Sequence, residues 1–310
     1  MIGWRRAGAA CLALLHAMPW AAECPKFETG VETGRIQSAE LNEISGLAAS
    51  RQAPGVLWAH NDSGDQPAVY AIDSCGKTLG AFALEGAAAR DWEDIAIGPG
   101  PEPDRDYLYI GDIGDNNRKH DSIRVYRVPE PAIDSGAHPP LSGVLSNVET
   151  ITLKYPKSPY DSEALFIDPS IGDLYLATKD WGFELAIHIF RAEAPLADGE
   201  TRTLSQAARI PYVGMITAAD ISPDGALIGL RPYFGGVLLW PRAPGSALAD
   251  ALKEPFCLGP LASEPQGEAF CFAGDGQAYY TTSEGANPPL YRYRREGAET
   301  QTAGAWPAYR

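Results

Sequence analysis

The chain has 310 residues, of which 45% are hydrophobic and 21% are charged, a composition typical of a globular protein with a large core. Its formal net charge of −15 argues against nucleic acids and anionic membranes as partners. The 32 glycines and 26 prolines predict many turns and few long helices, and barrels and propellers reach this length as single domains. The excess of acid is typical of a soluble surface and is also compatible with a cation site.

The first 22 residues look like a secretory signal peptide. Arg5 and Arg6 precede the apolar segment AGAACLALLHAMPW, and Ala21 and Ala22 supply small residues for cleavage. The apolar segment is too short to span a bilayer, and no later segment looks transmembrane. We therefore expect a signal peptide over residues 1–22 and one domain over residues 23–310, secreted or periplasmic.

Cysteine usage agrees with export. Cys11 leaves with the signal peptide, and Cys24, Cys75, Cys257 and Cys271 remain. An even number in an oxidising compartment favours two disulfides. Of the three possible pairings we favour Cys24 with Cys75 and Cys257 with Cys271; four buried thiols are the alternative. No CxxC spacing exists, so a zinc–thiolate site is not expected.

One seven-residue pattern, a polar residue followed by apolar ones, recurs along the chain. Its five copies are SGLAASR from Ser45, EDIAIGP from Glu93, EALFIDP from Glu163, TAADISP from Thr217 and EAFCFAG from Glu268. Each copy is followed by two further strand-like stretches rich in aromatic and β-branched residues between Gly/Pro turns. A fourth strand is visible as TLGAFAL and ETITLKYP. Repeats of this size with irregular spacing are typical of four-stranded propeller blades.

The sequence therefore predicts an all-β, five-bladed β-propeller with an axial metal site. A divergent sixth blade between Glu93 and Glu163 is the alternative. The last repeat lacks an outer strand, and KFETGVETGRIQ near the start of the chain is expected to supply it and close the ring. The segment EPAIDSGAHPPLSGVLS is interpreted as an insertion within the second repeat.

The first residues of the five copies should form one ring, because inner strands of a propeller line its channel. The ring would contain Ser45, Glu93, Glu163, Thr217 and Glu268. Three converging glutamates repel one another unless they take up protons or share a cation. Carboxylates, hydroxyls and waters suit Ca²⁺, whereas Zn²⁺ would favour His or Cys. We expect a central Ca²⁺; turn-capping acids or surface ion pairs are the alternative.

These motifs resemble those of the calcium-dependent apyrases, a family of five-bladed nucleotidases with a central Ca²⁺. The family's Ser and Glu ligands in blades one, two, three and five are matched by Ser45, Glu93, Glu163 and Glu268. In the fourth blade the family has Ser, whereas this sequence has Thr217. LWAHNDSGD is similar to the family's acidic turn in blade one, and LYIGDIGDN to its glycine-rich stretch in blade two. The acidic strands also resemble, more distantly, those of phytase-like and gluconolactonase-type propellers.

Charged residues at the ends of the second strands are expected to gather at the channel mouth. The resemblance implies that Asp62 is a catalytic carboxylate, and we expect it to orient the attacking water. Lys179 and Arg231 would neutralise phosphate oxygens. The expected substrate contacts are Asp112, Asp115 and Glu284. Each of these residues is otherwise interpreted as a solvated loop charge or part of a turn.

The sequence thus predicts a secreted Ca²⁺-binding propeller that hydrolyses phosphoanhydrides or phosphate esters. Two alternatives stay open: a non-catalytic, Ca²⁺-stabilised propeller that binds a protein or glycan, and a lactonase-like hydrolase. The expected ligand is a small phosphorylated molecule or a sugar, with no nucleic acid and no membrane as partner. The oligomeric state stays open.

Overall fold

The computed structural model describes residues 23–133, 140–179, 184–212 and 214–298. The signal peptide predicted over residues 1–22 lies outside the described residues. The described residues form 22 strands and one four-residue helix, α1 (Leu248–Ala251). No helix in this part of the chain is long and apolar enough to cross a membrane.

The strands follow the predicted repeats. Those before residue 113 are β1 (Val31–Arg35), β2 (Ile44–Ala49), β3 (Val56–Asn61), β4 (Ala68–Asp73), β5 (Thr78–Leu84), β6 (Trp92–Pro99) and β7 (Asp106–Asp112). The next are β8 (Ile123–Pro129), β9 (Leu141–Leu145), β10 (Glu149–Lys154), β11 (Ser162–Ile167), β12 (Leu174–Thr178), β13 (Ala186–Ala192), β14 (Thr201–Thr203) and β15 (Ser205–Pro211). The last are β16 (Ile216–Ile221), β17 (Leu227–Pro232), β18 (Val237–Pro241), β19 (Cys257–Gly259), β20 (Gly267–Phe272), β21 (Ala278–Ser283) and β22 (Pro289–Arg294).

These strands form five sheets, each made of one four-stranded blade with or without an added edge strand. Blade 1 contains β2–β5, blade 2 contains β6, β7, β8 and β10, and blade 3 contains β11, β12, β13 and β15. Blade 4 contains β16–β19, and blade 5 contains β20–β22 with β1. The five-bladed β-propeller is therefore confirmed. In the described residues between Glu93 and Glu163, the chain builds blade 2 and an edge strand of blade 1, and no sixth sheet occurs there.

The ring closes as the sequence predicts. Strand β1 pairs antiparallel with β22, with Val31 opposite Arg292 and Arg35 opposite Pro289. The start of the chain thereby completes the blade built by its end, which removes an exposed sheet edge.

Two added strands cover outer edges. The predicted insertion in blade 2 contains β9, which crosses back to blade 1 and pairs parallel with β5. Strand β14 belongs to the blade 3 segment of the chain and pairs parallel with β10 of blade 2. Each crossing ties one blade to its neighbour and satisfies backbone groups that an edge strand would otherwise leave open.

The hydrophobic core is divided into five clusters, one between each pair of neighbouring blades. Trp58 of blade 1 and Trp92 of blade 2 share one cluster, for example, and Leu47 of blade 1 shares another with Cys271 of blade 5. Because both faces of a blade are covered, the inner strands are buried along their whole length, except for half-buried Pro99 at the end of β6. This explains their nearly continuous apolar sequences.

The expected disulfide pairing is wrong. Cys24 is bonded to Cys257, with a Cα–Cα distance of 5.6 Å, whereas Cys75 is exposed and free and Cys271 is buried and free. The bond joins the segment before β1 to strand β19 of blade 4. Ring closure brings these two cysteines together across 233 residues of sequence, a proximity that spacing along the chain does not reveal.

Two buried carboxylates connect inner strands near the axis. Asp94 of β6 accepts hydrogen bonds from the backbone N–H of Leu165 in blade 3 (2.9 Å) and of Ala219 in blade 4 (3.2 Å). Asp220 of β16 accepts one from Phe272 N–H in blade 5 (2.8 Å). Burial raises the pKa of Asp94 well above its ordinary value, and these N–H donors oppose that shift. Hydrogen bonds from backbone N–H groups to these carboxylate oxygens thus connect neighbouring blades, whereas backbone hydrogen bonds connect the strands within each blade.

Candidate functional site

A β-bulge begins the inner strand of every blade. The pairing register with the second strand shifts at one extra residue in each case, and the five residues are Ser45, Glu93, Glu163, Thr217 and Glu268. These are the five predicted ring positions, and all five side chains are buried. Bulges redirect side chains and are common beside functional sites. Contacts between neighbouring inner strands place the five bulges around a common axis.

The two hydroxyl members of the ring join neighbouring blades. Ser45 Oγ donates a hydrogen bond to the backbone oxygen of Glu93 (2.5 Å), and Thr217 Oγ1 donates to that of Gly267 (3.2 Å). Each bond links the bulge of one blade to the start of the next inner strand. The hydroxyl hydrogens of Ser45 and Thr217 are therefore engaged in hydrogen bonds between blades.

Glu163 has a cationic partner within the protein. Lys179, directly after β12, places its Nζ 2.7 Å from Glu163 Oε1, and both side chains are buried. Burial raises the pKa of Glu163 to about 7, while Lys179 opposes that shift. Burial also disfavours the charged lysine, but Glu163, Glu93 and Glu268 outweigh it and raise the pKa of Lys179. Lys179 is thus an internal counter-ion of the ring glutamates.

Glu268 lies in a different environment on the other side of the ring. Its Oε1 accepts a hydrogen bond from the Tyr233 hydroxyl, and Gln266 Nε2 lies 3.5 Å away. The Tyr233 ring also faces Lys179 Nζ at 5.4 Å from its centroid. Glu284 is close enough that burial and the Glu268 carboxylate raise the pKa of Glu284 to about 8. Glu268 and Glu284 therefore form a carboxyl pair at the mouth.

Glu93 belongs to the most concentrated acidic group of the described residues. One carboxylate oxygen each from Asp62, Asp91 and Glu93 lies within 4.8 Å of the others. Asp62 follows β3 and Asp91 precedes β6, so the group joins blades 1 and 2 beside the axis. Of the five predicted ring residues, Glu93 alone belongs to this described group.

The protonation of these three groups reflects burial and mutual repulsion. Burial raises the pKa of Asp62 to about 6, and Asp91 and Glu268 add to the shift. Burial also raises the pKa of Asp91. For Glu93 burial is again the largest cause, followed by Glu163 and Asp62, and its pKa lies well above the ordinary value. A divalent cation bound here would relieve the mutual repulsion that contributes to these raised pKa values.

Gly114 makes room for the acidic group. A Cβ at this position would lie 2.1 Å from Glu93 Oε1 and 2.5 Å from Asp91 Oδ2, so any other residue would push these carboxylates aside. The Gly114 N–H also donates to the Asp91 backbone oxygen (3.2 Å). The glycine-rich stretch after β7 therefore forms a wall of the site.

Arg231 is placed differently from Lys179. Its side chain is wholly buried, and Nη2 forms an ion pair with Glu264. Its Nη1 donates to the backbone oxygens of Ala269 (2.6 Å) and Thr282 (2.9 Å). These contacts join blade 4 to blade 5, so the guanidinium is engaged inside the protein and does not face an open site.

Asp112 and Asp115 lie behind the acidic group and are buried. Asp112 Oδ1 accepts a hydrogen bond from the Asp91 N–H (2.9 Å). This bond fixes the backbone of Asp91, one of the three residues of the acidic group. Asp115 Oδ2 accepts one from the His120 N–H (2.7 Å), and the Asp115 N–H donates to Asp161 (2.9 Å). Both carboxylates support backbone segments around the site.

Asp91 and Tyr233 are the site residues that sequence reasoning missed. Asp91 stands two residues before Glu93, a spacing that places two side chains on the same face of a strand and was an available signal. Tyr233 follows β17 and carried no signal, because its contact with Glu268 joins two different blades.

Comparison with known proteins leaves the function open. No protein-family model and no curated protein matches the chain. A crystal structure of RRP9 WD40 repeats covers 87% of this chain and 100% of its own, with 8% identity and a TM-score of 0.41. Raptor of Chaetomium thermophilum covers 87% of this chain and 29% of its own, with 12% identity and a TM-score of 0.44. With sequence identities of 8% and 12% and TM-scores of 0.41 and 0.44, neither structure indicates what the chain binds.

Proposed function

We propose that this protein is an exported propeller that binds a divalent cation at its channel mouth and hydrolyses a phosphoanhydride or phosphate ester there. The convergence of Asp62, Asp91 and Glu93 oxygens within 4.8 Å carries the proposal. Export agrees with the Cys24–Cys257 disulfide, since such bonds persist in oxidising compartments.

The donor set suits a hard cation. All three ligands are carboxylates, which favour Ca²⁺, whereas zinc would favour imidazole or thiolate. The space that Gly114 leaves beside Glu93 and Asp91 is also consistent with an ion there. The proposed site is therefore Asp62, Asp91 and Glu93, displaced from the axis because Lys179 already neutralises Glu163.

The residues around the proposed cation provide the remaining chemistry. A bound cation would polarise a phosphoryl oxygen. Asp62, with a pKa of about 6, is ionised above that pH and can accept a proton from an attacking water. The Lys179 ammonium is paired with Glu163 but lies close enough to Asp62 and Glu93 that its positive charge would also attract a phosphate oxygen bound there. Arg231 has no part in this step because its guanidinium is engaged in blade contacts.

Calcium binding and turnover test the proposal together. Calorimetry with Ca²⁺ should detect one tight site, and Glu93→Gln should weaken it by about tenfold or more, since a charged ligand is lost. Nucleoside di- and triphosphates, phytate and lactones are then assayed with Ca²⁺ or with a chelator. Phosphate release that requires Ca²⁺ and is lost in Asp62→Asn is the expected result.

Glu102→Gln is the matched control, because Glu102 is exposed and, among the described residues, its side chain pairs with neighbouring Arg105 and Tyr107. It should leave both Ca²⁺ affinity and turnover unchanged. Absence of calorimetric Ca²⁺ binding in the wild-type protein would refute the proposal.

The burial of Arg231 favours a second candidate, a propeller that binds the cation without catalysis. One of the two cations expected to hold a phosphate is instead engaged inside the protein, which leaves Lys179 as the remaining cation of the predicted phosphate site. Tight Ca²⁺ binding with no turnover of any compound in the panel would support this candidate.

A further inference from the structure

A second concave site lies in blade 1, beside the channel mouth. The cavity has a volume of about 600 Å³ and opens between the segment leading into β2, the β3–β4 turn, and strands β4 and β5. This volume lies within the roughly 300–1,000 Å³ range of small-molecule sites.

The charge of this cavity is of one sign. Glu40, Glu43 and Asp65 line it, and no lysine, arginine or histidine is found among its described lining residues. Ala68, Ala81 and Phe82 form an apolar portion of the wall. The cavity therefore combines carboxylate hydrogen-bond acceptors with an apolar wall against which the aliphatic part of a ligand can pack.

Tyr70 supplies an independent indication of a ligand. Its side chain is only 5% exposed, and its hydroxyl, which forms no hydrogen bond with any other described residue, is accessible from the cavity that Tyr70 lines. Burial and then Asp65 and Glu40 raise the pKa of Tyr70 to about 12, so the hydroxyl stays protonated and lies close to both acids. A hydroxyl that faces a cavity without a partner in the protein can form its hydrogen bond with a ligand atom.

The Asp65 carboxylate in the polar wall is held in place before any ligand arrives. The buried Asn61 amide donates from Nδ2 to the Glu40 backbone oxygen (2.6 Å) and to Asp65 Oδ2 (2.6 Å). The Asp65 carboxylate also accepts from the Gln66 N–H (2.7 Å). Rigid acceptors bind with a smaller loss of entropy.

We propose that this cavity binds a small organic cation, an ammonium or guanidinium group on an aliphatic stem. The charged head would donate to Asp65, Glu40 and the Tyr70 oxygen, and the stem would lie on Ala81 and Phe82. A bare metal ion would leave the apolar wall unused, and the cavity's acids do not belong to the close carboxylate group described at the channel mouth.

Calorimetry with N-acetyl-L-arginine amide and N-acetyl-L-lysine amide tests this proposal, in the presence of a chelator so that no metal site contributes. The neutral isostere of the first probe, N-acetyl-L-citrulline amide, should bind at least about tenfold more weakly, since it lacks the charge. Glu40→Gln should weaken binding of a cationic probe by about tenfold, and Tyr70→Phe by about threefold to tenfold.

Two controls separate this site from general attraction to an acidic protein and from the proposed metal site. Glu102→Gln removes an equal exposed charge elsewhere, and Glu93→Gln alters the channel mouth; neither should change affinity for the organic cation. The proposal fails if neither cationic probe binds, if the citrulline amide binds equally well, or if Glu102→Gln weakens binding as much as Glu40→Gln. Because metal is absent throughout, these outcomes leave the calcium proposal untouched.

Discussion

Asp62 shows what a close group of partly buried carboxylates costs a folded protein in stability. Its pKa of about 6 lies above the ordinary value of 3.8 because burial and neighbouring carboxylates disfavour its charge. The folded state therefore binds this proton more tightly than the unfolded state does. The resulting loss of stability is fully present above about pH 6 and vanishes below the ordinary value.

Asp62→Asn should consequently stabilise the metal-free protein at pH 7.5 by about 1–2 kcal/mol, after allowance for solvent screening. The gain should shrink toward zero near pH 4, where the wild-type carboxyl is also neutral. Added Ca²⁺ should raise the melting temperature of the wild type more than that of the variant. Thermal unfolding at both pH values, with and without Ca²⁺, measures all three effects. An equal calcium shift in both proteins would exclude Asp62 as a ligand.

Gly114 offers a steric test of the same group. Gly114→Ala places a methyl group against Glu93 and Asp91 at distances that force the carboxylates apart. We expect the fold to persist and Ca²⁺ affinity to fall by about tenfold or more, as for loss of one charged ligand. Circular dichroism checks the fold and calorimetry the affinity. In the matched variant Gly143→Ala, the added methyl group meets Phe82 at 3.4 Å, and unchanged calcium binding is expected.

At the scale of the strand, the bulges and the buried aspartates have complementary roles. Each bulge directs one polar side chain of an inner strand to the axis at the mouth. Below it, Asp94 accepts backbone N–H groups from blades 3 and 4, and Asp220 accepts one from blade 5. A carboxyl group can thus be buried in an inner strand where a cation pairs with it, a proton neutralises it or several N–H groups donate hydrogen bonds to it.

Asp94→Ala should therefore destabilise the protein by roughly 2–4 kcal/mol, because two buried N–H groups lose their acceptor. This loss should outweigh the relief of removing a buried carboxyl. Urea unfolding monitored by tryptophan fluorescence gives the difference, with exposed Asp121→Ala as the control. Equal stability of the two variants would contradict a bridging role for Asp94.

At the scale of the whole molecule, the N-terminal segment closes the ring by three separate contacts. Cys24 is bonded to blade 4, Phe27 packs on Tyr279 of blade 5 with ring centroids 4.8 Å apart, and β1 pairs with β22. The segment thus spans the junction between the last two blades and completes the final sheet.

Replacing both Cys24 and Cys257 by serine should lower the free energy of unfolding by about 2–4 kcal/mol, since the bond closes a very long loop. Chemical unfolding without reductant measures this change. Cys75→Ser should have no effect, because that thiol is exposed and free. A large loss in Cys75→Ser would instead support the pairing with Cys24 that the sequence suggested.

The repeats made much of the fold predictable. Inner, second and third strands of all five blades follow the recurring motif, since their burial imposes the same apolar pattern in each repeat. The outer strands β15 and β19 were not seen, because β15 is mostly exposed and β19 has three residues, one of them exposed. A strand with little buried surface has little pattern to detect.

The sequence by itself determined the propeller, its five blades, the closing strand and the five residues at the bulges. It did not reveal that Glu93, Glu163 and Glu268 have different surroundings, because each is the first residue of a nearly identical motif. Only the tertiary structure decided that Lys179 pairs with Glu163, that Tyr233 bonds to Glu268 and that Asp62 and Asp91 join Glu93. It also decided the partner of Cys24. The physical reason is that a repeated pattern records the burial common to every blade, whereas each partner comes from a different loop or strand brought close by closure of the ring.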